Sequence, residues 1–347
     1  MRTRRGRARA LLVTATATAA ALALVAGCSS GGGTAASSGG GAAASASVEK
    51  PTLNVAVVPA LDSAGFFVAL YQGLFKAQGL NVHFIPVTSS ETAIADQVAG
   101  KYDITAGNYV SYIQAQQRGS ANLDIFAEGS VMEPGNQGIY TMPNSPIKTL
   151  AELKNQTIAI NAPKNILYLL AASVLAEHGI SLASVKFTSV PFPAMATELK
   201  SGAINAAVMP EPFASGTEQA EGGIPLVDLD QGATAAFPVE GYVVTKQWAV
   251  KYPHTLAAFY KALEEGQQIA DTSRAAVEAA MEDVPAPFGV SKITAAVMAL
   301  DNYPVSTGPV GAVDKVRLQR VVNVMRQFLG FGNFNIDSML INGGAGD

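Results

Sequence analysis

The sequence predicts an α/β protein of two similar lobes, each a mostly parallel sheet flanked by helices. Three observations predict it. A strand–helix–strand–helix–strand order runs from Leu53 to Ala106 and returns about a hundred residues later, from Gln156 to Val208. Its punctuation returns too: Ala77-Gln78-Gly79-Leu80 is answered by Glu177-His178-Gly179-Ile180, and Gly100 to Ile104 by Gly202 to Ala206. Hydrophobic residues make up 49% of the 347, ample for two cores. A β-α-β-α-β unit closes into a parallel sheet because its crossovers turn one way. Loops at the carboxyl ends of such strands form a ligand crevice.

The N-terminus reads as an address. Arg2, Arg4, Arg5, Arg7 and Arg9 precede an apolar run from Leu11 to Val25. The run is shorter than the roughly 20 residues a membrane span needs and fits a signal peptide over 1–27. It ends in Leu24-Val25-Ala26-Gly27-Cys28, which resembles the bacterial lipobox. That resemblance implies lipidation of Cys28, the new N-terminus, and anchoring to the extracytoplasmic face of the cell membrane. Arg4-Arg5 leaves twin-arginine export open beside the general route. Residues 28–50 carry the cysteine and a tether. Ser29 to Ser47 holds only Ser, Gly, Ala and Thr, cannot bury enough surface to fold, and reaches roughly 25 Å as a coil.

Charge and cysteine count exclude several classes. The chain has 23 basic and 27 acidic residues, net −4. Without the five leader arginines it has 18 against 27, net −9. This argues against a nucleic-acid partner, which expects a basic surface. One cysteine leaves no internal disulfide and no Cys-Cys metal site. His83, His178 and His254 have no ligand spacing. Neither a Gly-x-Ser-x-Gly elbow nor a phosphate loop appears. No metal, no cofactor and no catalytic group is therefore expected.

In the first repeat, Leu53 to Val58 reads as a strand and Phe66 to Gln78 as a helix with Gly79 at its C-cap. Val82 to Val87 is the next strand, Ala93 to Ala99 a helix, and Gly100 to Gly107 a turn and strand. In the second, Gln156 to Ile160 and Val185 to Val190 are strands. Ile166 to Glu177 and Ala194 to Lys200 are helices. Beyond Leu229, Gly241 to Val244 reads as a strand, with helices over Pro253–Ala270, Thr272–Met281, Lys292–Asp301 and Ala312–Leu329. The simplest topology crosses to lobe two near Asn144 and returns near Phe237. Lobe one is then 51–143 plus 238–347, lobe two is 144–237, and the C-terminal helices pack on lobe one.

Several segments resemble a known family. Phe67 to Leu80, Asn144 to Lys154, Pro210-Glu211-Pro212-Phe213 and Trp248 to Leu263 resemble, in order and spacing, the nitrate/sulfonate/taurine and thiamine-precursor group of solute-binding proteins (NMT1/THI5-like). The resemblance covers roughly Thr52 to Asp271 and implies a type II periplasmic-binding-protein fold. It implies a monomeric, non-enzymatic binding subunit of an ABC importer. That subunit closes on a small-molecule solute by hinge motion and delivers it to a permease and its ATPase. An extracytoplasmic sensor is the alternative. A thiamine-pyrimidine enzyme fits less well, because that relative carries a cysteine-rich motif absent here.

The predicted loops supply the candidate ligand residues. Asp62, Ser63 and Phe66 follow the first strand. Ser63 either caps the next helix or, with its free N–H groups, faces a ligand. Ser89, Ser90 and Thr92 open a helix, as a cap or as a polar cradle. Asn108 both donates and accepts, and Tyr109 is a stacking face or a core residue. In lobe two, Asn161, Lys164 and Asn165 follow a strand, Lys164 being the one base in these loops. Phe192, Glu211 and Phe213 complete the set, with packing or hinge roles as alternatives. Glu128, Gln137 and Glu240 are placed near the crossings. Few bases and several aromatics point to an aromatic or zwitterionic ligand. Binding of an anion such as nitrate or a sulfonate by helix ends stays open.

Overall fold

The computed structural model describes residues 47–289 and 313–341. The signal peptide, Cys28, nearly all of the tether and the helix expected over Lys292–Asp301 lie outside the described residues. Five strands build one sheet: β1 (Thr52–Val57), β2 (Asn81–Pro86), β3 (Ile104–Asn108), β4 (Leu123–Val131) and β10 (Pro238–Thr245). Their order is β2-β1-β3-β10-β4. The second sheet holds β5 (Gln137–Thr141), β6 (Thr157–Ile160), β7 (Lys186–Ser189), β8 (Ala206–Pro210) and β9 (Ile224–Asp228), in the order β7-β6-β8-β5-β9. The repeat seen in the sequence is thus a repeat of sheets. In each, three strands run parallel and one antiparallel strand is inserted next to the third: β10 against β3, β5 against β8.

Helices α1 (Ala64–Tyr71), α2 (Leu74–Ala77), α3 (Ser90–Val98) and α4 (Tyr109–Gln117) flank the first sheet. Helices α5 (Ile166–Glu177), α6 (Phe192–Ser201) and α7 (Phe213–Glu221) flank the second. The chain then adds α8 (Lys246–Lys251), α9 (Pro253–Thr272), α10 (Arg274–Glu282) and α11 (Lys315–Leu329). The expected helix over Phe66–Gln78 is two helices, because Gly73 takes φ 78° between α1 and α2, a conformation glycine adopts at little cost.

Two further expectations change. Gln137 to Thr141 already pairs with β8 and β9, so the chain enters the second sheet between Val131 and Gln137 rather than near Asn144. The C-terminal helices do not all pack on the first sheet's side. Helices α9 and α10 pack on α1, whereas α11 packs on both α4 and α5 and bridges the lobes. Its Arg317 pairs with buried Glu128 of β4 at 2.6 Å. Its Arg320 donates to the main-chain oxygens of Ala233, Ala235 and Ala236 in the returning crossover.

Candidate functional site

The carboxyl ends of both parallel sheets face one cavity. It encloses about 40 Å³ open to the centres of water molecules. From the first lobe come Asp62, Ser90, Asn108 and Glu240. From the second come Gln137, Asn161, Asn165 and Phe192, with the start of α5 at Ile166 and Leu167. Among the described residues, no lysine or arginine belongs to this lining.

Each polar group is held by local structure. Ser90 Oγ accepts from the Asn108 main-chain N–H at 3.0 Å and from Asn108 Nδ2 at 2.9 Å. Asn108 Oδ1 caps α4 through the Ser111 N–H at 2.9 Å. Asn165 caps α5 through the Tyr168 N–H at 3.3 Å and donates to Asn161 Oδ1 at 2.5 Å. Asn161 in turn donates across the cleft to the Thr88 carbonyl at 3.2 Å. Two more bonds join the lobes: Leu61 N–H to the Glu211 carbonyl at 2.9 Å, and Gln114 Nε2 to the Lys164 carbonyl at 2.8 Å. The two lobes are in contact across the cavity.

The acids dominate its electrostatics. Ser63 Oγ donates to Glu240 Oε1 at 2.6 Å, and Ser130 Oγ to Asp62 Oδ1 at 2.9 Å. Burial pushes Asp62 up to about 6, against the Ser130 bond. Burial and the neighbouring Asp62 charge push Glu240 well above the usual carboxylate range. Desolvation disfavours a charge, and two carboxyls together disfavour a second one. Buried Gln137 has no partner for its Oε1.

Of the sequence-predicted residues, Asp62, Ser90, Asn108, Asn161, Asn165 and Phe192 line the cavity. The others do not. Ser63 makes no helix-cap bond and serves Glu240. Ser89 caps α3, and exposed Thr92 donates back to its carbonyl. Phe66 sits in the first lobe's core, its ring 5.5 Å from Phe67 and 5.6 Å from Phe75. Tyr109 is fully buried against Gly241, where a Cβ would lie 2.4 Å from its ring. Lys164 is exposed and does not line the cavity. Glu211 accepts from the Ser215 N–H and hydroxyl in the first turn of α7. Phe213 stacks on Phe192 at 4.8 Å.

Gln137 and Glu240, placed only near the crossings by sequence, face the cavity because their strands run antiparallel. Each begins at the edge where the parallel strands end: Glu240 pairs with Asn108, Gln137 with Pro210. Among the described residues, no group of three or more metal-ligating side chains converges, and no helix is long and apolar enough to cross a membrane.

Comparison with known proteins agrees with this geometry. The bicarbonate transport ATP-binding protein CmpC of Synechocystis sp. is 28% identical over 235 residues, 63% of this chain and 35% of that protein. The chain spans about a third of the length of the curated relatives it matches. The fold matches the ligand-binding component of an ABC-type import system from Staphylococcus aureus, solved with zinc bound. The TM-score is 0.72 at 14% identity, over 84% of this chain and 97% of that one. It also matches the alkanesulfonate-binding protein SsuA from Xanthomonas axonopodis pv. citri bound to MOPS, with TM-score 0.69, 14% identity and coverage of 83% and 96%. The model of the NMT1-like family matches residues 46–282. With two sheets closing on one polar cavity and a family match over most of its length, the chain belongs to the NMT1-like family and has the two-lobed periplasmic-binding-protein fold.

Proposed function

We propose that this protein is the extracytoplasmic solute-binding lipoprotein of an ABC importer, a monomer anchored through a lipid on Cys28. It captures a small polar solute between its lobes and delivers it to a membrane permease driven by an ATPase. The observation that carries this reading is the cavity with polar lining between two like sheets. Its likeness to a ligand-binding component of an ABC-type import system, to an alkanesulfonate-binding protein and to a bicarbonate transport protein supports it. Lobe one comprises the first sheet with α9 and α10, and lobe two the second sheet. Hinge motion runs through the two crossovers, 132–136 and 229–237, which are tied by the Met132 N–H bond to the Phe237 carbonyl at 2.7 Å. The ligand-facing set is Asp62, Ser90, Asn108, Gln137, Asn161, Asn165, Phe192 and Glu240.

A thermal-shift panel tests this reading. Nitrate, bicarbonate, alkanesulfonates, taurine, pyrimidines and small amines are offered to the full chain in detergent. A solute at a hundred times its dissociation constant stabilises by about 2.7 kcal/mol. An unmoved midpoint with every class refutes solute binding of this kind. Cys28→Ala should release the protein from the membrane fraction, and retention of that variant refutes the lipid anchor.

A further inference from the structure

We propose that the solute is a small organic cation, an amine or amidinium, whose N–H groups are received by Asp62, Glu240 and Gln137. The proposal rests on the solute-binding reading above and names its ligand class. Two independent observations carry it. The first is the make-up of the wall: two carboxyl groups reach the cavity and, among the described residues, no lysine or arginine does. Their serine partners engage one oxygen of each, Asp62 Oδ1 and Glu240 Oε1. The second is Gln137, a lining residue that is 1% exposed and whose buried Oε1 has no partner. A buried acceptor left unpaired costs about 1–3 kcal/mol, and a ligand donor removes that cost. Acceptor-bearing residues from β5, β10 and the loop after β1 therefore line one cavity.

The donor side of the wall is already committed in part. Asn108, Asn161 and Asn165 each give a side-chain N–H to the protein. The N-termini of α3, α4 and α5 approach the same space and favour anions. Each is capped by its own side chain: Ser89 from the Thr92 N–H, Asn108 from the Ser111 N–H, Asn165 from the Tyr168 N–H. Each helix end carries about half a positive charge, and its own cap already meets part of it. The volume sets the size. A cavity of about 40 Å³ admits roughly three waters, so a group of a few heavy atoms fits. The aromatic wall expected from the sequence shrinks to Phe192 alone, since Phe66 and Tyr109 lie in the core.

Calorimetric titration of the full chain in detergent decides the class. The probes are methylammonium, guanidinium and acetamidinium on one side, and nitrate, bicarbonate and methanesulfonate on the other. At least one cation should bind, and Asp62→Asn should weaken it at least tenfold while the ligand-free protein still unfolds cooperatively. Gln137→Met removes the free acceptor without changing charge and should weaken the same cation severalfold, so a poorly folded Asp62 variant does not leave the question open. Binding of an anion with all cations silent overturns the cation class and leaves the importer reading standing. Cation affinity unchanged in both variants overturns the proposed contacts. Silence from both sets and from the wider solute panel overturns the class and the importer reading together.

Discussion

Ser63 Oγ donates a 2.6 Å hydrogen bond to Glu240 Oε1, joining residues 177 apart in sequence. The serine stands at the first turn after β1, where a helix cap is the usual reading, but its hydroxyl turns toward the returning strand instead. Ser130 does the same for Asp62 from β4. Two hydroxyls thus hold two carboxyls in a space that would otherwise leave them unsatisfied.

That arrangement sets a pH dependence. Asp62 is raised from its ordinary range to about 6 by burial, and Glu240 is raised as well. A raised carboxyl binds its proton more tightly in the folded chain, so stability grows as pH falls through 6 toward the unfolded value near 4. For Asp62 the gain is on the order of 2–3 kcal/mol. Glu49 works oppositely: its bonds to the first turn of α9 hold it down at about 2, so its contribution fades as pH drops below about 4.5. Ligand-free protein should melt higher at about pH 5 than at about pH 7.5, and Asp62→Asn should flatten that slope. A melting temperature that rises steadily with pH across this interval contradicts the buried acid pair.

Closure rests on few polar contacts. Asn161→Ala and Gln114→Ala each remove one bond between the lobes. Each bond is worth about 0.5–1.5 kcal/mol, so each variant should weaken solute affinity roughly threefold to tenfold by opening the lobes. Distance measurements between spin labels on the two lobes should show the open population rising in step. Unchanged distances would mean that the Leu61–Glu211 main-chain bond and the packing of α11 hold the lobes together without them.

Helix α11 acts as a strap on the crossover. Arg320 serves three main-chain oxygens and lies 5.5 Å from the centre of the Phe237 ring. Arg320→Ala should cost about 1–3 kcal/mol and speed hydrogen exchange in 233–239. Arg320→Lys should recover only part, because a lysine offers a point donor where the guanidinium offers a fork. Exchange rates that stay at the parent values would remove α11 from the hinge.

Helices α1 and α9 cross closely in lobe one. A Cβ at Gly266 of α9 would fall 2.4 Å from the Gly65 carbonyl oxygen and 2.6 Å from Ala69 Cβ of α1. Backbone cannot yield there as a flexible side chain can. Gly266→Ala should lower stability by about 1–3 kcal/mol through overpacking, read as a fall in the urea midpoint. An unchanged midpoint would show that the two helices can separate at no cost.

Much of this was legible in the chain. Gly79 and Gly179, at φ 77° and 70°, end corresponding helices, as do Gly100 and Gly202 at 79° and 78°. A local conformation that only glycine takes easily leaves its mark in sequence, so the two-lobe repeat could be read directly. Loops after parallel strands could be read the same way, which placed Asp62, Ser90, Asn108, Asn161 and Asn165 in the candidate set. Lys164 and Glu211 sat in such loops too, yet one is exposed and the other turns to Ser215. Loop membership does not set side-chain direction.

The sequence by itself determined the repeat, the fold class, the acidic balance and the polar loops, because these follow from local periodicity and composition. The tertiary structure alone decided which groups meet. Gln137 and Glu240 come to the cavity only because β5 and β10 run against their neighbours, and an antiparallel strand brings its beginning to the edge where parallel strands end. Strand direction is set by pairing between residues far apart in the chain, Glu240 with Asn108 among them, and no local pattern records it.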